Sequence, residues 1–363
     1  MKKLALLLIL CLMLSACGAQ PDPTTVPTTA APTTVPTTAA PTTEPTTEPT
    51  TEPTTVPTEP PVLYRHPLTG MPLDEPFTGR PVAVVTNNHR GALPQHGVSQ
   101  ADILYEILAE GGITRFLAIY SDLDNVGNIG SIRSARTYFI SLSRSYDSIL
   151  IHVGDSIYAN EIFRTGVSTH INAGGVYFFR DQARLSSGYA YEHTLFTTGE
   201  KLKANIAELN YRFTAKEDID YGITFSDEAS VSGVPATEVT VVYNVGKKTN
   251  TITYDEATGQ YILHQHDRVY ADGNTGEAVT FSNVLVLYAQ HRTISNEGHV
   301  AHTLTGENNG YLMMNGQMVP ILWHREGENS PFTYTLEDGT PVDLKPGRTY
   351  IAVVPTGSTV TAK

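Results

Sequence analysis

The chain has 363 residues and carries 24 basic against 37 acidic side chains, a net charge of −13. An acid excess of that size argues against non-specific nucleic-acid binding, which needs a basic footprint. Its two cysteines, Cys11 and Cys17, both lie at the N-terminal end, so everything downstream is without a disulfide framework, a zinc–thiolate site or a cysteine nucleophile.

Residues 1–17 read as a lipoprotein signal peptide. Met1-Lys2-Lys3 is a basic start, and the apolar run Leu4 to Leu14 is too short to span a bilayer as a helix but fits a secretory core. Leu14-Ser15-Ala16-Cys17 resembles a lipobox: small residues admit the peptidase, and the Cys17 sulfur carries diacylglycerol with palmitate-type chains. The plainer alternative is an ordinary signal peptide with a chance cysteine. Residues 18–62 hold 17 Thr and 12 Pro in a Pro-Thr-Thr-x pattern. Proline at that density removes amide donors and fixes φ, and nothing there is large enough to build a core, so a disordered, semi-extended linker is expected. At about 3.1 Å per residue it reaches roughly 140 Å, a stand-off suited to the thick wall of a Gram-positive-type envelope.

Residues 63–232 alternate strands and helices. Pro81–Thr86 is a β-branched buried strand; Ser99 then caps a helix with Ala101, Ile103, Leu104, Ile107 and Leu108 on its spacing, stopped by Gly111-Gly112. Ile113–Tyr120 is the next strand, a helix follows near Ala135–Tyr146, and Ile149–Val153 is the third strand. Helices near Ile157–Arg164 and Glu200–Leu209 complete an α/β (α+β) domain with a mixed sheet. Residues 233–363 read as a β-rich C-terminal domain. Its short strands fall at Val239–Tyr243, Thr251–Tyr254, Tyr261–His264, Val284–Tyr288, Gly310–Met314, Met318–Trp323 and Tyr350–Val354, with turn signals such as Asn315-Gly316 and Asp338-Gly339 between them.

The densest polar cluster is Gly130-Ser131-Ile132-Arg133-Ser134-Ala135-Arg136 at a loop-to-helix junction. Open amides, the hydroxyls of Ser131 and Ser134 and the guanidiniums of Arg133 and Arg136 are a set that holds an anion, with Arg115 able to face the same place. The same arginines equally serve to brace loops by bonding carbonyls and the nearby Glu106, Glu110 and Asp155. Asn87 and Asn88 end the first strand and line the rim of such a cleft, and Arg180 stands near it. A second cluster is His152, Asp155 and Ser156 at a strand end, with His193 later. A hydrolase can be drawn from His152 or His193 as base and Asp155 as its orienter, or His152 is a core histidine donating to a carbonyl. Gly154-Asp155-Ser156 is not a nucleophile elbow, and no nucleotide-binding glycine pattern occurs. His264/His266 and His299/His302 lack a third ligand at readable spacing, so neither metal nor cofactor is expected.

Taken together, Pro67-Leu68-Thr69-Gly70, Arg80-Pro81-Val82-Ala83-Val84, Gln100-Ala101-Asp102-Ile103, Glu110-Gly111-Gly112-Ile113-Thr114-Arg115-Phe116, Arg133-Ser134-Ala135-Arg136, Gly310-Tyr311-Leu312 and Lys345-Pro346-Gly347-Arg348-Thr349-Tyr350 resemble the YerB-like lipoprotein family. The chain departs from that pattern at Thr137, where proline is frequent, and at Tyr350, where tryptophan is. The resemblance implies two consecutive domains of unassigned function on a lipid-anchored protein at the extracytoplasmic face of a bacterial membrane; it supplies no catalytic residues. The expected role is binding an anionic cell-envelope ligand or partner protein through an arginine-lined cleft. The alternatives are a hydrolase or transferase acting on a wall polymer or lipid-linked precursor, and a scaffold for wall-synthesis proteins.

Overall fold

A computed structural model describes residues 64–363. The signal peptide, Cys17 and the Thr/Pro-rich linker lie outside the described residues. None of the helices among the described residues is long and apolar enough to cross a membrane.

The framework is a mixed sheet of eleven strands drawn from both halves of the chain. In chain order its main strands are β1 (Val82–Asn87), β2 (Ile103–Leu108), β3 (Thr114–Tyr120), β4 (Ile149–His152), β5 (His170–Asn172), β6 (Asn283–Ala289), β7 (Gly306–Met314), β8 (Gln317–Arg325) and β9 (Thr349–Pro355). Their spatial order is β8-β7-β6-β9-β2-β3-β1-β4-β5. The seam between the halves is the parallel pair β9–β2, with Ile351 opposite Tyr105. β1 and β3 pair antiparallel, whereas β1, β4 and β5 run parallel. Strands buried on both faces need near-continuous apolar sequence, and β1, β2, β3 and β9 are buried at every position.

That rule corrects one expectation. The segment 101–108 carries apolar residues at helical spacing, yet Val98–Gln100 forms a single 3-10 turn and Ile103–Leu108 is a strand. A short apolar run has no periodicity that separates a buried strand from a buried helix. Between β9 and β3, alternation sends Leu104, Glu106 and Leu108 to one face and Ile103, Tyr105 and Ile107 to the other.

Helices α1 (Thr137–Ser145) and α2 (Ile157–Arg164) cover the face that bears Val85, Tyr105, Leu117 and Ile351. The opposite face packs against a second, six-stranded sheet built mainly from Glu238–Asn244, Lys248–Asp255 and Gln260–Gln265. Its strands alternate buried and part-exposed residues, as a sheet with one solvated face must. Leu202 and Ile206 of the helix Gly199–Glu208 join this layer. The β7–β8 hairpin turns at Asn315-Gly316, both at positive φ (52° and 72°), which is the geometry a two-residue hairpin requires.

Candidate functional site

The C-terminal end of β1, the following loop and the start of α1 bring most of the polar candidates together. Asn87 and Arg115 sit directly opposite each other on neighbouring strands. The segment 131–133 runs beside β1, with Asn87 N donating to the Ser131 carbonyl and Arg133 N to that of Val85. Helix α1 then starts after Arg136, whose backbone is extended and whose side chain does not cap the helix. Phe139 N and Ile140 N bond the Arg136 carbonyl, which leaves the amides of Thr137 and Tyr138 without a partner among the described residues.

Two guanidiniums meet one carboxylate here, with a third close by. Arg136 Nε lies 2.5 Å and its Nη2 3.0 Å from the Glu110 carboxylate, and Arg115 Nη2 lies 3.3 Å from the same group. Arg115 also donates to the Ser134 carbonyl at 3.1 Å, while its buried Nε has no partner among the described residues. Burial, followed by the neighbouring Arg136, pushes the Arg115 guanidinium down to about 10. Arg133 is half-buried and donates only to the Glu192 carbonyl, at 3.0 Å. Glu110 titrates below the usual carboxylate range: burial pulls it up, but the hydrogen bond from Arg136 and the charges of Arg115 and Arg136 outweigh that.

The remaining candidates divide. Arg180 lies flat over the Tyr191 ring, 3.8 Å from its centroid, and donates to the Tyr191 carbonyl, so it braces the 191–194 turn. Ser131 is fully buried with its amide on Gln95 Oε1 at 2.6 Å, and its hydroxyl points into the same contact. Ser134 is half-buried beside Gly154. Asn88 leaves this face altogether and donates to Glu106 on the other side of the sheet.

His193 does join the site. Asn87 Nδ2 donates to its Nδ1 at 2.9 Å, which leaves the proton of the neutral ring on Nε2. The ring stacks on His89 at 5.3 Å, and burial holds its pKa below the ordinary histidine value. It therefore presents an N–H donor instead of a basic lone pair. His152 is fully buried behind the segment 153–156, whose backbone runs beside 133–135. Its Nδ1 donates to the Gly154 carbonyl at 2.8 Å, its Nε2 meets His170 Nδ1 at 2.9 Å, and it stacks on Phe163. Burial pushes it down to about 4. No hydrogen bond joins it to Asp155, and Ser156 caps α2 through the Ala159 amide. The base–orienter–nucleophile set drawn from the sequence is not assembled; His152 is a core histidine on a carbonyl.

The histidine pairs are likewise apart. His264 bonds Thr253, His299 bonds Ser295 and His302 bonds the Leu108 carbonyl. Among the described residues no group of three or more His, Cys, Asp or Glu is placed to hold a metal ion.

Glu106, named from the sequence only as a possible arginine partner, pairs with no arginine and is instead the most heavily bonded polar group among the described residues. Glu106 is wholly buried, and it accepts from Asn88, Thr114, Asn250, Gln265 and Tyr350 while Lys248 Nζ lies 3.1 Å away. A glutamate inside an otherwise apolar strand was the signal that marked it. Sequence reading missed Arg348 as a bracket: it donates to the carbonyls of Val98, Ala101 and Thr280, binding the two halves together.

Comparison with known proteins gives a consistent result. Residues 68–212 match the N-terminal domain, and residues 239–351 the C-terminal domain, of the DUF3048 family, described as proteins of unknown function. The Bacillus subtilis (strain 168) protein YerB, whose name calls it a lipoprotein, is 32% identical over 300 residues, covering 80% of this chain and 86% of YerB. The crystal structure of YerB from Bacillus subtilis superposes with a TM-score of 0.72 at 29% identity, spanning 82% of this chain and 99% of that one.

Proposed function

The chain belongs to the DUF3048 family of YerB-like proteins, and on that footing we propose that it is a lipid-anchored protein of the extracytoplasmic membrane face that binds an anionic group of the cell envelope at the start of α1. The group is carried by a wall component or a partner protein. One observation carries the reading: Arg115, Arg133 and Arg136 lie close together and, among the described residues, only Glu110 stands within ion-pair distance, reaching Arg115 and Arg136, in a chain of net charge −13. Three guanidiniums against one carboxylate near a helix start form a site that an incoming phosphate or carboxylate satisfies. Arg133, bonded only to a carbonyl, and the His193 Nε2–H supply the first contacts; Arg136 and Arg115 supply the field behind them. Hydrolase or transferase chemistry would need a base with a free lone pair, and those of His152 and His193 are engaged by His170 and Asn87.

Thermal melting with inorganic phosphate, pyrophosphate and wall fragments tests this. A ligand at a hundred times its dissociation constant adds about 2.7 kcal/mol, a visible rise in Tm. The rise disappears in Arg133→Gln. A folded protein that shows no rise with any of these ligands reverses the reading, and the arginines are then internal braces of a scaffold for wall-synthesis proteins.

A further inference from the structure

Gln265 ends a strand, and the next two residues, His266 and Asp267, turn the chain back on itself so that Arg268 pairs with Gln265. This hairpin faces the loop Arg90–Pro94 across a cavity of about 320 Å³. Its walls include Arg90, Pro94, Gln265, His266, Arg268 and Tyr270, none of which belongs to the cluster around Arg133.

The walls are unbalanced in charge and unsatisfied in hydrogen bonding. Two guanidiniums line the cavity and no carboxylate does. Arg90 and Arg268 are exposed, and neither forms a side-chain hydrogen bond or ion pair with another described residue, so both guanidiniums are available to a ligand. His266 Nε2 is buried without a partner, and so is the hydroxyl of Tyr270, a residue only 3% exposed. Both atoms are closed off from solvent behind the cavity wall, so the groups a ligand meets directly are the two exposed guanidiniums and the accessible edge of the His266 ring. At the floor, Gln265 Oε1 accepts from Lys248 Nζ at 2.6 Å, an ammonium already paired with Glu106. Burial first, then Lys248 and Arg90, hold the His266 pKa below its ordinary value against the opposing Glu106 and Asp267. The other surfaces are apolar, from Leu93, Pro94, Val269 and the Tyr270 ring.

We propose that this cavity is a second binding site, for a small organic anion: a carboxylate or phosphate head held by Arg90, Arg268 and His266, with a compact apolar body against Pro94 and Tyr270. The volume lies at the lower end of ligand pockets, which suits a single ring or short branched chain. The inference stands apart from the reading of the α1 site and rests on different residues.

Isothermal titration of the full chain with phenyl phosphate, benzoate and inorganic phosphate separates the parts. Phenyl phosphate is expected to bind more tightly than inorganic phosphate, because only it fills the apolar wall; benzoate reports whether a carboxylate head suffices. Arg268→Gln, and separately His266→Gly, which keeps the positive φ of the turn, each weaken phenyl phosphate roughly tenfold, the loss expected for one charge-assisted contact. Arg133→Gln leaves that affinity unchanged. Absence of saturable heat at millimolar phenyl phosphate overturns the proposal. So does binding that survives Arg268→Gln and His266→Gly together, or binding lost in Arg133→Gln, which would assign the ligand to the start of α1.

Discussion

Lys248 Nζ lies 3.1 Å from Glu106 Oε1, with both side chains at most 3% exposed, so an ion pair joins the central strand of the large sheet to the sheet packed on it. Five hydrogen bonds from neutral groups complete the shell of Glu106, and Lys248 also bonds Gln265. A buried pair survives desolvation only when its remaining lone pairs and protons are satisfied in this way. Because Asn88 and Thr114 come from one half of the chain and Lys248, Asn250, Gln265 and Tyr350 from the other, the network fixes how the halves register.

Lys248→Met is expected to destabilise the protein by about 3–5 kcal/mol, the cost of leaving a buried carboxylate without its cation. Combining it with Glu106→Gln should cost less than the sum of the single changes. Urea unfolding of the four-member cycle measures the coupling; additive costs would show that the two groups do not act as a pair.

Glu110→Gln removes the carboxylate shared by Arg115 and Arg136. Stability should fall by about 2 kcal/mol, less than for full burial because Glu110 is 18% exposed. Inorganic phosphate should then raise the Tm of the variant more than that of the parent, since the anion replaces the missing charge. Equal shifts in the two proteins would detach Glu110 from the anion site.

His152 supplies a pH dependence whose sign is fixed by its environment. Its folded pKa is about 4 against an ordinary 6.5, so between those values the unfolded chain binds the extra proton. Stability therefore rises with pH across that window and is lost on acidification through it, by about 3 kcal/mol at most. His302, also held near 4 by burial, acts in the same direction. His152→Gln should flatten the slope of Tm against pH between about 6.5 and 4; an unchanged slope assigns it to other groups.

Cys17→Ala is expected to abolish incorporation of labelled palmitate and to release the protein from the membrane fraction. Retention of the label would place the acylated residue elsewhere.

Much of the architecture was legible because it is written in local pattern. The β-branched run at Val82–Asn87, the amphipathic Ile157–Arg164 and the Asn315-Gly316 turn each carry their conformation in a few adjacent residues. Ile103–Leu108 was not legible, because a strand buried on both faces has no polar period to reveal it. The arginines around α1 were nameable from their density, with Glu106, Glu110 and Asp155 as candidate partners; that Glu110 alone of these pairs with Arg115 and Arg136 was decided by packing. The apparent His152–Asp155 pair shows the reverse: sequence neighbours at a strand end whose side chains take different partners.

Residue chemistry by itself determined the class of the protein: the expectation of a lipid-anchored leader, a linker unable to fold, an acidic mixed-sheet body without usable cysteine. Tertiary structure alone decided which charges are spent and which remain. Arg115 and Arg136 share Glu110, Lys248 is consumed by Glu106, and Arg90, Arg133 and Arg268 have no carboxylate within ion-pair distance among the described residues. The reason is physical: a charge's partner is set by distances of a few ångströms across segments far apart in sequence, which composition and spacing do not encode.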